Sequence, residues 1–497
     1  MAVVLFISLL VAVLLLLTYY VKYLFSYWSR QGVPSVKPLI PYGNFKGLGK
    51  LYFHGEVTQK LYNEMKGNGP FCGVYMFHVP IALALDLDFV KRVLIKDFQY
   101  FEDRGMYYNE KDDPLSAHLF AIDGSKWRPL RSKLSATFTS GKMKFMFSTI
   151  IAIANEFKST LDEMLLNKES MDIEMKDLLA RFTTDVIGEC AFGIECNSLK
   201  DPSAEFRNMG RLVFEKRTNG RVIGTILHLF HDFARAMGVR ITLPEVEKFF
   251  MRIVFETVQY REKNGVQRND FMDLLIKMKN SDATDRLSMQ ELAAQVFLFF
   301  LAGFETTSTV MAFALYELAL NKDIQNKARK EIDNILRKHE GHFSYEAMME
   351  MQYITQIFNE SLRKYPPLGN IMRVTTKDYK VPNSNFILRK GTKVWIPAHA
   401  IHHDETYFPC PHKFDPDRFS PEEMSKRDNA TFLGFGDGPR NCIGLRFGIM
   451  QAKIALVTLL SNYDLSICPQ SKVPMEIAKK NFILTPSGGM WLNVKRI

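Results

Sequence analysis

Residues Met1 to Val21 carry no charged side chain and are mostly Leu, Val, Ala, Ile and Tyr, a run long enough to cross a bilayer as a helix. A second long apolar run, Leu292 to Asn321, is hydrophobic nearly all round and over roughly 30 residues would span about 45 Å as a helix. It holds Glu305-Thr306-Thr307-Ser308-Thr309 at its middle, and an acid at a bilayer centre costs about 2.5–3.5 kcal/mol on insertion scales. The second run is therefore predicted as the central helix of a large water-soluble core. Short β-prone runs such as Phe71-Cys-Gly-Val-Tyr-Met-Phe77, between about Tyr52 and Ala84, predict a small sheet, while helical periods dominate elsewhere. Pro34-Ser-Val-Lys-Pro38-Leu-Ile-Pro41-Tyr-Gly43 cannot be helix and predicts a stiff hinge. The resulting fold class is mainly α with a smaller β region behind a single N-terminal transmembrane helix.

Composition narrows this picture. The 497 residues are 47% hydrophobic and 24% charged, with no repeat, low-complexity tract or long Gly/Ser linker, which favours one large body behind the N-terminus. Three segments are expected: an anchor over 1–21, a basic and proline-rich hinge over 22–45, and a catalytic domain over 46–497. A cleavable signal peptide is disfavoured by the missing basic n-region and cleavage site, and Tyr19, Tyr20, Tyr23, Tyr27 and Trp28 read as an interfacial aromatic belt. Lys22, Arg30 and Lys37 follow the span, so the positive-inside rule keeps the body cytosolic. The six scattered cysteines suit a reducing compartment. A net charge of +10 suits anionic membrane, and the absence of a basic stripe interleaved with aromatics sets nucleic acid aside.

The candidate chemistry centres on Phe435-Gly-Asp-Gly-Pro-Arg440-Asn-Cys442-Ile-Gly444. Glycines and a proline fix a turn, and the apolar run from Ile443 onward reads as a helix start. A lone cysteine at a helix N-terminus is favoured as thiolate, the form a metal needs. A zinc site would want three or four nearby Cys/His ligands, and none lies near. A single thiolate instead suits a metal already held by a macrocycle, as in haem.

The pattern Phe-x-x-Gly-x-Arg-x-Cys-x-Gly, filled by Phe435, Gly438, Arg440, Cys442 and Gly444, resembles the haem-binding signature of the cytochrome P450 superfamily. Four further motifs carry the same resemblance in order. Trp127-Arg-Pro-Leu-Arg131 is similar to the motif whose Trp and Arg hold haem propionates, with Arg104 and Arg373 as further propionate arginines. Ala302-Gly303-Phe304-Glu305-Thr306-Thr307 resembles the oxygen-activation motif, which gives Glu305 and Thr306 a proton-relay role, while Gly303 is expected to leave room for a ligand. Glu360-Ser-Leu-Arg363 with Arg418 resembles the triad that locks the core behind the haem. Ser361-Leu-Arg-Lys-Tyr-Pro-Pro and Phe300-Leu-Ala-Gly-Phe-Glu-Thr-Thr look most like insect microsomal enzymes of family six, associated with plant toxins and insecticides.

The resemblance implies a P450 fold and a monooxygenase with haem b on Cys442, fed by NADPH through NADPH-cytochrome P450 reductase and by cytochrome b5, at the cytosolic face of the endoplasmic reticulum membrane. No Gly-rich nucleotide motif follows a strand, so NADPH is expected to act only through the partner. Arg128, Lys133, Lys142 and Lys144 are expected to dock that reductase. The alternatives are a reductase-independent isomerase or dehydratase, and a non-catalytic haem carrier or gas sensor. Candidate walls for a lipophilic substrate are Met106 to Phe120, Arg221 to Pro244, Phe297, Phe300, Phe304, Pro367 to Ile371 and Leu484 to Ser487.

Overall fold

The computed structural model describes residues 1–216, 227, 230–281 and 286–497. The apolar N-terminal run forms a helix over Ala2–Leu24, and none of its residues is buried. The second apolar run forms the longest described helix, Met289–Leu320, most of it buried. Its start is a capping box: Ser288 Oγ accepts from the Glu291 N–H at 3.1 Å, and Glu291 Oε2 accepts from the Ser288 N–H at 2.8 Å. It stops at Asn321, whose side chain donates to the Glu317 carbonyl at 2.8 Å.

Nine strands lie among the described residues: β1 (Phe71–Met76), β2 (Val79–Ala84), β3 (Ser170–Glu174), β4 (Ile371–Val374), β5 (Tyr379–Lys380), β6 (Ile387–Leu388), β7 (Lys393–Ile396), β8 (Tyr463–Ser466) and β9 (Trp491–Arg496). The chain divides into two compact units. The first comprises Met1–Gly105, Gly369–Ile401 and Asp437–Arg440, and the second Met106–Leu368, His402–Gly436 and Asn441–Ile497.

In the first unit a four-stranded sheet runs in the order β1-β2-β7-β4. Strands β1 and β2 pair antiparallel with Phe71 opposite Ala84, β2 and β7 are parallel, and β7 and β4 antiparallel with Ile371 opposite Ile396. Every residue of β1 is buried. The sequence placed only β-prone runs between Tyr52 and Ala84, but His54–Met65 is a helix. Its start is tied by Glu56 Oε2, which accepts from the Phe53 N–H at 2.6 Å, and a carboxylate in the first turn offsets weak local propensity.

In the second unit the helix Met175–Ile187 lies against the central helix. Its N-cap Glu174 accepts from the N–H groups of Lys176 (3.2 Å) and Asp177 (2.5 Å), and Thr183 Oγ1 donates to the Phe304 carbonyl at 2.9 Å. A second neighbour is the helix Leu445–Asn462, whose Gln451 Nε2 donates to Thr307 Oγ1 at 2.9 Å and to the Gly303 carbonyl at 3.3 Å. A three-stranded antiparallel sheet in the order β3-β9-β8 completes the unit.

Candidate functional site

Within the second unit the cysteine loop is closed by its own backbone, with the Cys442 N–H donating to the Phe435 carbonyl at 2.8 Å. The helix it introduces starts at Leu445, two residues later than the apolar run suggested. Cys442 is exposed, although the helix after it is largely buried. Four of the other cysteines are buried, and burial pushes the thiol of Cys72 up to about 12 and those of Cys190 and Cys196 up as well. Those thiols are inert. A side-chain carbon at Gly444 would meet nothing within 4 Å, so the space in front of the helix is open. Phe435 is half-buried and stacks on Phe358 with ring centroids 6.2 Å apart.

Arg131 braces the loop. Its Nη1 donates to the Asn441 carbonyl at 3.0 Å and its Nη2 to Asn441 Oδ1 at 2.8 Å. Burial pulls the Arg131 guanidinium down from its ordinary value, with the Cys442 sulfur pushing back. Trp127 lies one turn earlier on the same helix, Trp127–Ser135, and is buried. Glu360 and Arg363 are fully buried: Arg363 Nε donates to Glu360 Oε2 at 2.7 Å and its remaining nitrogens reach the carbonyls of His402 (2.9 Å) and Pro411 (2.8 Å). Arg418 Nε stands 3.5 Å from Glu360 Oε1, so the three triad residues meet.

His402 extends this lock and was not singled out from the sequence. Its Nδ1 contacts the Arg363 carbonyl at 3.0 Å, and its Nε2 accepts from the Leu433 N–H at 2.8 Å, two residues before Phe435. Burial first and the Arg363 charge second hold its pKa well below the ordinary histidine value, and a neutral ring with its proton on Nδ1 satisfies both contacts. No local pattern marks a histidine 31 residues from its partner.

The central helix is open at one stripe. Ala302 is exposed and Leu298, Leu301, Gly303 and Thr306 are half-buried, while their neighbours are buried. The spacing i, i+3, i+4, i+8 puts Leu298, Leu301, Ala302 and Thr306 on one face. Thr306 Oγ1 donates to the Ala302 carbonyl at 2.7 Å, which leaves its lone pairs to accept from whatever enters that space. Glu305 is buried and faces a different partner: Lys176 Nζ lies 3.0 Å from Glu305 Oε1 and donates to Ser308 Oγ at 3.0 Å.

Two expectations fail here. A side-chain carbon at Gly303 would come within 2.9 Å of the Ile187 side chain, so this glycine permits helix packing and not ligand approach. Phe300 and Phe304 are fully buried and Phe297 nearly so. Their rings join Phe206 and Phe250 in a cluster with centroids 5.1–5.6 Å apart, so they are core and not substrate wall. Of the predicted wall Arg221 to Pro244, residues 221–226 and 228–229 lie outside the described residues.

The first unit holds the other three predicted arginines. Arg373 and Arg440 are buried, and Arg104 Nη2 donates to the Arg440 carbonyl at 3.0 Å. Arg373 sits on β4, where the Val374 N–H donates to the Asp103 carbonyl at 2.8 Å, next to Arg104. At Gly438 (φ +68°) a side-chain carbon would lie 1.8 Å from the Leu94 carbonyl oxygen, so only glycine allows the loop this close approach. Guanidiniums so buried suit anionic carboxylates. Among the described residues no group of three or more His, Cys, Asp or Glu is gathered to hold a metal ion. Within the second unit the exposed Cys442 sulfur, the open apolar stripe with its hydroxyl and the Arg131 guanidinium fit a haem and do not fit a bare ion.

The sequence profile of cytochrome P450 matches residues 33–493, and the chain belongs to the cytochrome P450 family. It is a monooxygenase, an oxidoreductase whose haem takes a thiolate ligand. It is 46% identical to probable cytochrome P450 6a14 of Drosophila melanogaster over 488 residues, covering 95% of this chain and 96% of that one. It is 45% identical to cytochrome P450 6A1 of Musca domestica, with 96% and 95% covered, and 45% identical to cytochrome P450 6a8 of Drosophila melanogaster, with 98% of each covered.

Proposed function

We propose that the chain inserts one atom of O2 into lipophilic substrates with electrons from NADPH, delivered by NADPH-cytochrome P450 reductase, at the cytosolic face of the endoplasmic reticulum membrane. The observation that carries this reading is the exposed Cys442 sulfur at the head of a buried helix, in the same unit as the open stripe at Ala302 and Thr306. Cys442 would be the axial ligand of haem b, Phe435 its shield from water and Gly444 the open position beside it. Trp127, Arg131, Arg440, Arg104 and Arg373 would meet the propionates. Bound haem supplies the oxidising chemistry, with the thiolate favouring cleavage of the O–O bond.

The chain's own task is to exclude water and handle protons. Thr306 Oγ1 gives its proton to the Ala302 carbonyl and so presents an acceptor toward the open stripe, orienting a donor there. Glu305 is the acid that resupplies protons, and its carboxylate exchanges them with the Lys176 ammonium beside it. The apolar stripe of Leu298, Leu301 and Ala302 supports lipophilic substrates, from xenobiotics such as plant toxins or insecticides to endogenous lipids.

Of the proposed reductase contacts, Arg128 and Lys144 are exposed and Lys133 and Lys142 half-buried. Lys144 pairs with Glu346 at 2.6 Å and Lys142 Nζ donates to the Asn269 carbonyl, contacts that both would exchange for reductase carboxylates. Cytochrome b5 would be an additional electron donor on that side. The first test is Cys442→Ser, which should lose the thiolate band of the reduced carbon monoxide complex and all NADPH-supported turnover. Normal turnover in that variant would overturn the assignment.

A further inference from the structure

Three consecutive carbonyls of the central helix accept a side-chain hydrogen bond on top of their place in the helix. Thr306 Oγ1 donates to Ala302 at 2.7 Å, Gln451 Nε2 to Gly303 at 3.3 Å and Thr183 Oγ1 to Phe304 at 2.9 Å. Extra donors on helix carbonyls tilt a turn and fix its course. Here they arrive from three sides: from the helix itself, from Leu445–Asn462 and from Met175–Ile187.

Gln451 is the donor that comes from the helix introduced by the cysteine loop. It is fully buried. Its amide has one workable orientation, because the atom that faces the Gly303 carbonyl has to be the nitrogen; an oxygen there would meet another acceptor. The same nitrogen donates to Thr307 Oγ1 at 2.9 Å, so both amide protons are used on residues 303 and 307, one turn apart on one face of the central helix. Three residues before Gln451 the two helices come close, since the nearest atom to a side-chain carbon at Gly448 would be Thr307 Oγ1, at 3.7 Å.

The neighbouring pair, Ala302 and Thr306, is the open stripe. Consecutive residues of a helix point about 100° apart, so holding Thr307 also sets the direction in which Thr306 presents its oxygen. On the other flank Lys176 holds Glu305 and Ser308. Packing alone does not account for the amide: Gln451 Oε1 is buried without a hydrogen-bond partner among the described residues, so the side chain adds little net stability over an apolar one of its size. What the amide adds is direction. We infer that Gln451 is a positioning residue for proton handling, which grips the Gly303–Thr307 turn from the ligand helix and aims Thr306 into the open stripe. The inference rests on the readings of Cys442 as haem ligand and Thr306 as the proton-handling hydroxyl.

The test uses the full-length holoprotein with reductase and ethoxycoumarin as a lipophilic probe. Gln451→Met keeps the length of the side chain without its donor, and Gln451→Leu is the second variant. Both should keep the reduced carbon monoxide band and hold KM within about twofold, while product per NADPH falls about 3–10-fold and peroxide rises, since a small misplacement of a reacting group is costly. Amide hydrogen exchange over residues 303–307 should quicken about threefold or more as the turn loses its tie. In a Thr306→Ala background either change should add no further uncoupling, because Gln451 acts through Thr306. Full coupling in both Gln451 variants beside an uncoupled Thr306→Ala would overturn the inference and leave the relay standing, whereas a fully coupled Thr306→Ala would overturn the relay itself. A raised KM at unchanged coupling would make Gln451 part of the substrate space, losses that add to those of Thr306→Ala would make it independent of that hydroxyl, and loss of haem from both variants would make it a support of the fold. Each of these three results overturns the positioning role.

Discussion

The two most apolar long helices of this protein meet opposite fates. Ala2–Leu24 and Met289–Leu320 are each long and apolar enough to cross a membrane, yet none of the first is buried and most of the second is. The difference lies in the polar residues. The first helix has no partner for a buried charge and carries none before Lys22. The second carries Glu305, Thr307 and Ser308, and each finds a partner on a neighbouring helix or its own backbone: Lys176 for Glu305 and Ser308, Gln451 for Thr307. Apolar content is shared by both helices, and matched polar groups decide which one serves as a core.

That contrast can be broken or sharpened by substitution. The largest effect is expected at the open stripe: Thr306→Ala should keep haem, substrate-induced spectral change and NADPH consumption while product per NADPH falls about 10²-fold and peroxide rises, since positioned proton transfer is typically worth about 10²–10⁴-fold. Full coupling in that variant would return Thr306 to helix packing. Next, Glu305→Leu removes the acid from the middle of the central helix and strands the Lys176 ammonium. It should lower unfolding stability by about 3–5 kcal/mol in denaturant titrations, where a solvated pair would give almost nothing.

The reciprocal change is Leu10→Asp in the anchor, which should cost about 2.5–3.5 kcal/mol of insertion and shift protein from the membrane pellet to the supernatant, with the haem spectrum unchanged. Loss of haem there would contradict the independence of anchor and site. The smallest effect belongs to Gln451→Leu. It removes the amide's two hydrogen bonds together with Gln451 Oε1, a buried oxygen that has no hydrogen-bond partner among the described residues, so stability should move by less than about 1 kcal/mol. A large loss on thermal unfolding would mean that the amide holds the two helices together.

Much of this was legible in the residues themselves. The cysteine loop, the central helix with its embedded acid and the non-helical prolines are local patterns, and local patterns survive folding. The features that were missed depend on partners far away in sequence. Trp28 beside a membrane run looks interfacial until Gly73 supplies a flat seat for it. Phe300 and Phe304 look like pocket walls until Phe206 and Phe250 arrive from two other segments. Nothing near Glu305 announces Lys176, 129 residues earlier. The helix at His54–Met65 was lost for a different reason: its tie at Glu56 is local, but the strands after it set the reading of the whole stretch.

The contact between Arg104 and the Arg440 carbonyl bridges 336 residues. A ribosome adds roughly 5–20 residues each second, so Arg104 and the Leu94 turn wait tens of seconds before the loop they hold exists at all. Throughout that interval the first unit lacks its last piece, Asp437–Arg440, and the cysteine just beyond it has not been made. Long-range closure of this kind is slow as well as late. The ligand loop is therefore secured long after Arg104 and Leu94 have been made, and haem has to be captured later still.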